Sequence, residues 1–104
     1  MHNDIIYFIN KFKSLNTKAT EELFLYGNCY WFAQILMKRF ETESPELFYL
    51  PIEGHFITKI HDRFYDVSGE IIPNETMNRW DDFVNEEPNI SKLIYSNCAL
   101  FIDE

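Results

Sequence analysis

The sequence predicts an α+β domain in which N-terminal helices pack on a short antiparallel sheet. Up to Phe40 the apolar residues recur at three- and four-residue spacings, the period of a half-buried helix. From Leu47 onward the texture changes to short runs rich in aromatic and β-branched residues, punctuated by Pro and Gly, which is the pattern of strands. At 104 residues the chain supplies one hydrophobic core and not two, so residues 1–104 are expected to form a single domain.

Taken in order, Ile5, Phe8, Ile9, Phe12 and Leu15 trace one helical face behind Asn3 or Asp4 as cap, predicting a helix to about Leu15. After the polar break NTKAT, residues Glu21 to Tyr26 predict a short helix closed by Gly27. The next helix has the clearest signature. Asn28 is the expected N-cap; Cys29, Phe32, Ala33, Leu36, Met37 and Phe40 form the apolar stripe; Lys38 and Arg39 fall where the helix dipole favours cations. Glu41 to Pro45 ends it. ELFYLPI, GHFITKI and RFYDVSG then read as three strands. After Pro73, NETMNRWDDFV predicts a helix capped by Asn74, with Met77, Trp80, Phe83 and Val84 inward and Pro88 as its stop. The tail KLIYSNCALFI, with Ile94, Tyr95, Cys98, Leu100 and Phe101, suits a buried final strand or helix, and strand is the reading preferred.

Composition narrows the function classes. Apolar residues make up 46% of the chain and aromatics 17%, which excludes a disordered segment. The net charge of −8 argues against direct nucleic-acid binding, which needs clustered Lys and Arg on phosphates, and leaves a basic protein as a suitable partner. Only Cys29 and Cys98 are present and no secretory signal opens the sequence, so a reduced, cytoplasmic protein is expected. No apolar run approaches the roughly 18 residues of a membrane span, and no membrane association is expected.

Three residues stand out chemically. With Asn28 as cap, Cys29 occupies the first helical position, where free amides and the dipole stabilise a negative sulfur. The plainer alternative is that Cys29 is the first apolar residue of a buried stripe. GHFITKIHDRFYDVSG folds as a hairpin turning at His61 and Asp62, which sets Ile60 opposite Arg63, Lys59 opposite Phe64, Ile57 opposite Asp66 and His55 opposite Ser68. Asp66 then becomes the diagonal, same-face neighbour of His55, within side-chain reach. A thiol, an imidazole and a carboxylate in that order are the parts of a nucleophile, base and orienter.

On the stretches GNCYWFA, GHFITKI and RFYDVSG the sequence resembles the papain-like cysteine protease superfamily, most closely its transglutaminase-like branch. That resemblance implies a small papain-like core with Cys29 as nucleophile, His55 as base and Asp66 as orienter, acting on a protein or peptide substrate without a cofactor. Papain-type enzymes supply an oxyanion donor from a glutamine ahead of the cysteine, whereas Gln34 here lies inside the following helix, so Tyr26, Asn28 or the Cys29 amide are the candidates.

The remaining residues read as structural. His61, Asp62 and Arg63 decorate a wet turn, His2 lies in a frayed terminus, and Cys98 is a small core residue. No CxxC pair or HExxH helix supports metal binding, and none is expected. Two readings follow: a small cysteine-dependent acyl-transfer enzyme (peptidase, amidase, deamidase or transferase), or a non-catalytic acidic protein of mobile-element origin that inhibits a basic nucleic-acid-binding partner. The second leans on surface carboxylates such as Asp81, Asp82, Glu86 and Glu87.

Overall fold

In the computed structural model, which describes residues 1–14, 16–25, 28–73 and 76–96, the chain is α+β as expected. Helices α1 (His2–Phe12), α2 (Thr17–Leu25) and α3 (Cys29–Arg39) come first, followed by a 3₁₀ turn at Glu41–Glu43. Strands β1 (Glu46–Leu50), β2 (His55–Ile60), β3 (Arg63–Asp66), β4 (Gly69–Ile71) and β5 (Asn78–Arg79) precede α4 (Trp80–Glu86) and α5 (Pro88–Tyr95). The strands form one antiparallel sheet in the order β4-β3-β2-β1-β5.

Helix α3 is the centre of the packing. Its Phe32 and Leu36 join Ile5 and Ile9 of α1 and Ile60 and Tyr65 of the sheet in one apolar cluster. Its Cys29 and Ala33 join Tyr49, Phe56 and Trp80 in a second. A helix with two apolar stripes sits between two clusters for a simple reason: each stripe leaves water only against its own set of partners. Small Ala33 lets the helix backbone approach the sheet, and Thr58 Oγ donates to the Ala33 carbonyl at 3.4 Å. Lys13, although buried, is neutralised by the Glu21 carboxylate, tying α1 to α2.

Several expectations at the element ends are corrected. Helix α1 starts at His2, so Asn3 and Asp4 lie within it and Met1 holds the cap position. The second helix begins within NTKAT, because Asn16 Oδ1 accepts the Ala19 amide at 3.1 Å and so caps it. β1 stops at Leu50, short of Pro51, whose ring has no N–H to give a ladder. The chain turns after Asp66 instead of continuing straight through Gly69, which creates β4 and takes Ser68 out of the ladder opposite His55.

The C-terminal third departs most. Asn78 and Arg79 pair with β1, so α4 starts only at Trp80 and Met77 lies ahead of it; the expected Asn74 cap falls outside the described residues. Helix α4 ends at Glu86, just ahead of Pro88 as expected, but Pro88 also opens a further helix, α5, since the first helical position needs no amide donor. Ile94 and Tyr95 are therefore helical, not in a strand, and Cys98, Leu100 and Phe101 lie outside the described residues. His2 is not frayed: its Nδ1 meets the Tyr65 hydroxyl at 2.8 Å.

Candidate functional site

Cys29, His55 and Asp66 come together from three elements. Cys29 is the first residue of α3 and is buried, 6% exposed. His55 is the first residue of β2 and Asp66 the last of β3, exposed by only 8% each. The β2–β3 ladder pairs Ile60 with Arg63, Lys59 with Phe64 and Thr58 with Tyr65, the register expected from a two-residue turn at His61 and Asp62. His61 takes the left-handed φ of 58° that such a tight turn requires. Continued to its end, this register leaves Asp66 diagonal to His55, and His55 Nε2 lies 3.0 Å from Asp66 Oδ2.

Each member of the set shifts its neighbours. Burial resists ionisation of Cys29, but a hydrogen bond from His55, the Phe56 and Tyr30 backbone amides and the imidazolium charge outweigh it and lower the thiol below its ordinary value. For His55, burial is again opposed and overcome, here by the bonds to Asp66 and Cys29 and by their charges, which raise the imidazole to about 9. Asp66 is held below the usual carboxylate range because His55 and Ser68 offset its burial. The three groups thus favour one another's charged forms, a thiol shifted towards thiolate beside an imidazole shifted towards imidazolium. With Nε2 on Asp66, Nδ1 is the ring nitrogen left for the sulfur.

The oxyanion candidates are placed differently. Asn28 occupies the N-cap position of α3, yet its side chain makes no capping bond: Nδ2 donates backwards to the Leu23 carbonyl at 3.1 Å and closes the end of α2. Tyr26 lies outside the described residues. Gln34 lines a cavity of about 350 Å³ with Tyr30, Met37, Leu47, Arg79 and Trp80. Two contributors escaped the sequence reading. The Phe56 amide is a backbone group, invisible in the residue alphabet; Ser68 had a signal in the Asp-x-Ser spacing of an Asx turn.

Side chains expected to be structural are so placed. His61 pairs with Glu43 at 2.9 Å on the surface, and Arg63 lies 3.5 Å from Glu70. Trp80 packs against Tyr49, Phe56 and Phe83 with ring centroids 4.8 to 5.7 Å apart. No helix among the described residues is long and apolar enough to cross a membrane.

Comparison with known proteins corrects one expectation. Residues 8–96 match the family model described as Phage YunG-like protein, and no curated protein and no solved structure matches the chain. The resemblance to the transglutaminase-like branch is thereby overturned: its three short stretches carry a local arrangement of side chains, while the family match spans α3, the whole sheet and both C-terminal helices. Since the match takes in the greater part of the sequence, the chain belongs to the Phage YunG-like family.

Proposed function

We propose that this phage-family protein performs cysteine-dependent acyl transfer, as a hydrolase or transferase acting on a thioester, ester or amide. The observation that supports this reading is the Cys29 sulfur held against a His55 ring whose far nitrogen is fixed by Asp66. The Cys29 thiolate attacks the carbonyl carbon and the carbonyl π electrons move to oxygen. As the tetrahedral adduct collapses, the bond to the leaving group breaks and the His55 imidazolium gives that group its proton. Now neutral, His55 takes a proton from water or an acceptor amine as it attacks the thioester, and the thiolate leaves as the free enzyme's nucleophile. Asp66 keeps the ring oriented throughout and stabilises its charged form.

The test uses an activated acyl donor. Incubated with p-nitrophenyl acetate, the protein is expected to carry an acetyl adduct on Cys29, read by intact mass and peptide mapping, and His55→Ala is expected to slow its formation by about a hundredfold or more, the usual contribution of a positioned base. Equal acylation with and without His55 counts against the reading.

A second reading is supported by the family finding, which suits a mobile-element setting: a non-catalytic acidic protein that occupies the basic surface of a nucleic-acid-binding partner. Of the two, this is the one the family finding favours; the catalytic one rests on geometry. Asp81, Asp82, Glu86 and Glu87 are exposed on and beside α4, and Arg79 neutralises part of that charge through Asp81 at 3.9 Å and Asp82 at 3.5 Å. Capture of a basic partner should then weaken steeply between low and high salt and be indifferent to Cys29→Ala. Salt-independent capture contradicts it.

A further inference from the structure

The turn DVSG joins β3 to β4, with Asp66 paired to Gly69 and Val67 and Ser68 at its tip. Both flanks of this turn are fixed. Val67 is fully buried in the α1–α3 cluster, and Gly69 takes a φ of 120°, a conformation that side chains with a Cβ rarely adopt. The backbone at Ser68 is therefore aimed back at Asp66, whose Oδ1 accepts the Ser68 amide at 2.8 Å and the Ser68 hydroxyl at 2.5 Å. A carboxylate is planar, so its two oxygens rotate together about one bond. Holding Oδ1 with two donors sets the direction of Oδ2, the atom that meets His55 Nε2 at 3.0 Å.

We propose that Ser68 is a positioning residue of this site: its hydroxyl and amide lock the Asp66 carboxylate in the rotation that aims Oδ2 at His55. The inference rests on the acyl-transfer reading, since orientation of the ring matters only if the ring works on Cys29. Ser68 itself is exposed and touches neither sulfur nor any reacting atom, so its action passes through Asp66. Charge-assisted O–H···O⁻ bonds are among the strong ones in proteins. Loss of this one leaves the amide alone to hold the carboxylate, which then swings between rotamers. The hydroxyl has an opposing effect, because a donor drains charge from the carboxylate and so weakens its hold on the imidazolium. The two roles predict opposite signs and can be separated.

The experiment is an NMR titration of the histidine ring nitrogens in the full chain, with His55 assigned by the signals lost in His55→Ala. In the wild type the His55 midpoint is expected near 9. Ser68→Ala should lower it by about one unit, roughly a tenfold loss of the charged form's advantage. Ser68→Thr keeps the hydroxyl and should hold the wild-type midpoint, while Asp66→Asn should fall furthest. Both Ser68 substitutions sit at the surface and leave the core untouched. An unchanged or higher midpoint in Ser68→Ala, with the wild type raised, overturns the role of Ser68 alone. A wild-type His55 titrating at the ordinary value of about 6.5 overturns the acyl-transfer reading and this inference with it.

Discussion

At Asp66 a single carboxylate carries two loads, orienting His55 and closing the turn that follows. Its pKa is held below the unfolded value, so its contribution to stability is complete above about 3.8 and is lost as pH falls through the lowered folded value. For His55 the sign reverses. Its folded pKa is raised from 6.5 to about 9, so its contribution is complete below 6.5 and is lost as pH rises through about 9. Two outcomes are expected from urea unfolding over a pH series. The stability gap between wild type and Asp66→Asn should narrow on the acid side as Asp66 is protonated, and that between wild type and His55→Ala on the alkaline side as His55 loses its proton; because the pair needs both charges, each gap should narrow at the other end as well. Gaps that stay constant with pH would mean that neither group is charged differently in the folded and unfolded chain. At this scale the sequence was informative where chemistry depends on side-chain register: a two-residue turn at His61 and Asp62 is enough to bring His55 and Asp66 to one another. It was uninformative about the Phe56 amide, because any residue at that position would offer the same N–H.

Among the elements, α3 determines whether the site exists. Its first residue is the sulfur and its first two turns lie against β2, where Ala33, 1% exposed, sets the distance. Ala33→Leu inserts three carbons where the backbone and Thr58 are in contact, and overpacking of this kind costs about 1–3 kcal/mol. The helix must shift to admit them, moving Cys29 away from His55 and Phe56. A lowered urea midpoint together with a thiol titration returned towards ordinary values is expected. Loss of stability with an unaltered thiol would show that the helix start is held independently of its packing. This helix was legible before folding because stripe, cap position and terminal cations all agree. The α4–α5 region was not. Pro88 carries opposite meanings at a helix end and at a helix start, and only the neighbouring pairing of Asn78 and Arg79 with β1 decides that α4 begins late. The two-residue β5 is likewise a product of tertiary pairing, too short to leave a pattern of its own.

For the molecule as a whole, the fold class followed from helical periods up to Phe40 and strand patterns from Leu47, which occupy separate stretches of the sequence. Family membership did not follow from the site. A nucleophile, a base and an orienter need only three residues and two turns of backbone, an arrangement that unrelated chains reach independently, so short matching stretches describe local geometry and not descent. The family match across residues 8–96 supplies what those stretches lack. The net charge of −8 bears on the same question from outside the site, since an acidic surface steers encounters with basic partners whether or not Cys29 reacts. The central claim is that folding activates Cys29 through His55. It is tested most directly by the pH dependence of iodoacetamide alkylation of the folded protein, with Cys98→Ala as background and His55→Ala beside it. The account predicts alkylation rising through a midpoint below the ordinary thiol value of about 8.5, and a return to that value without His55. A Cys29 that stays inert until the protein is unfolded would contradict it.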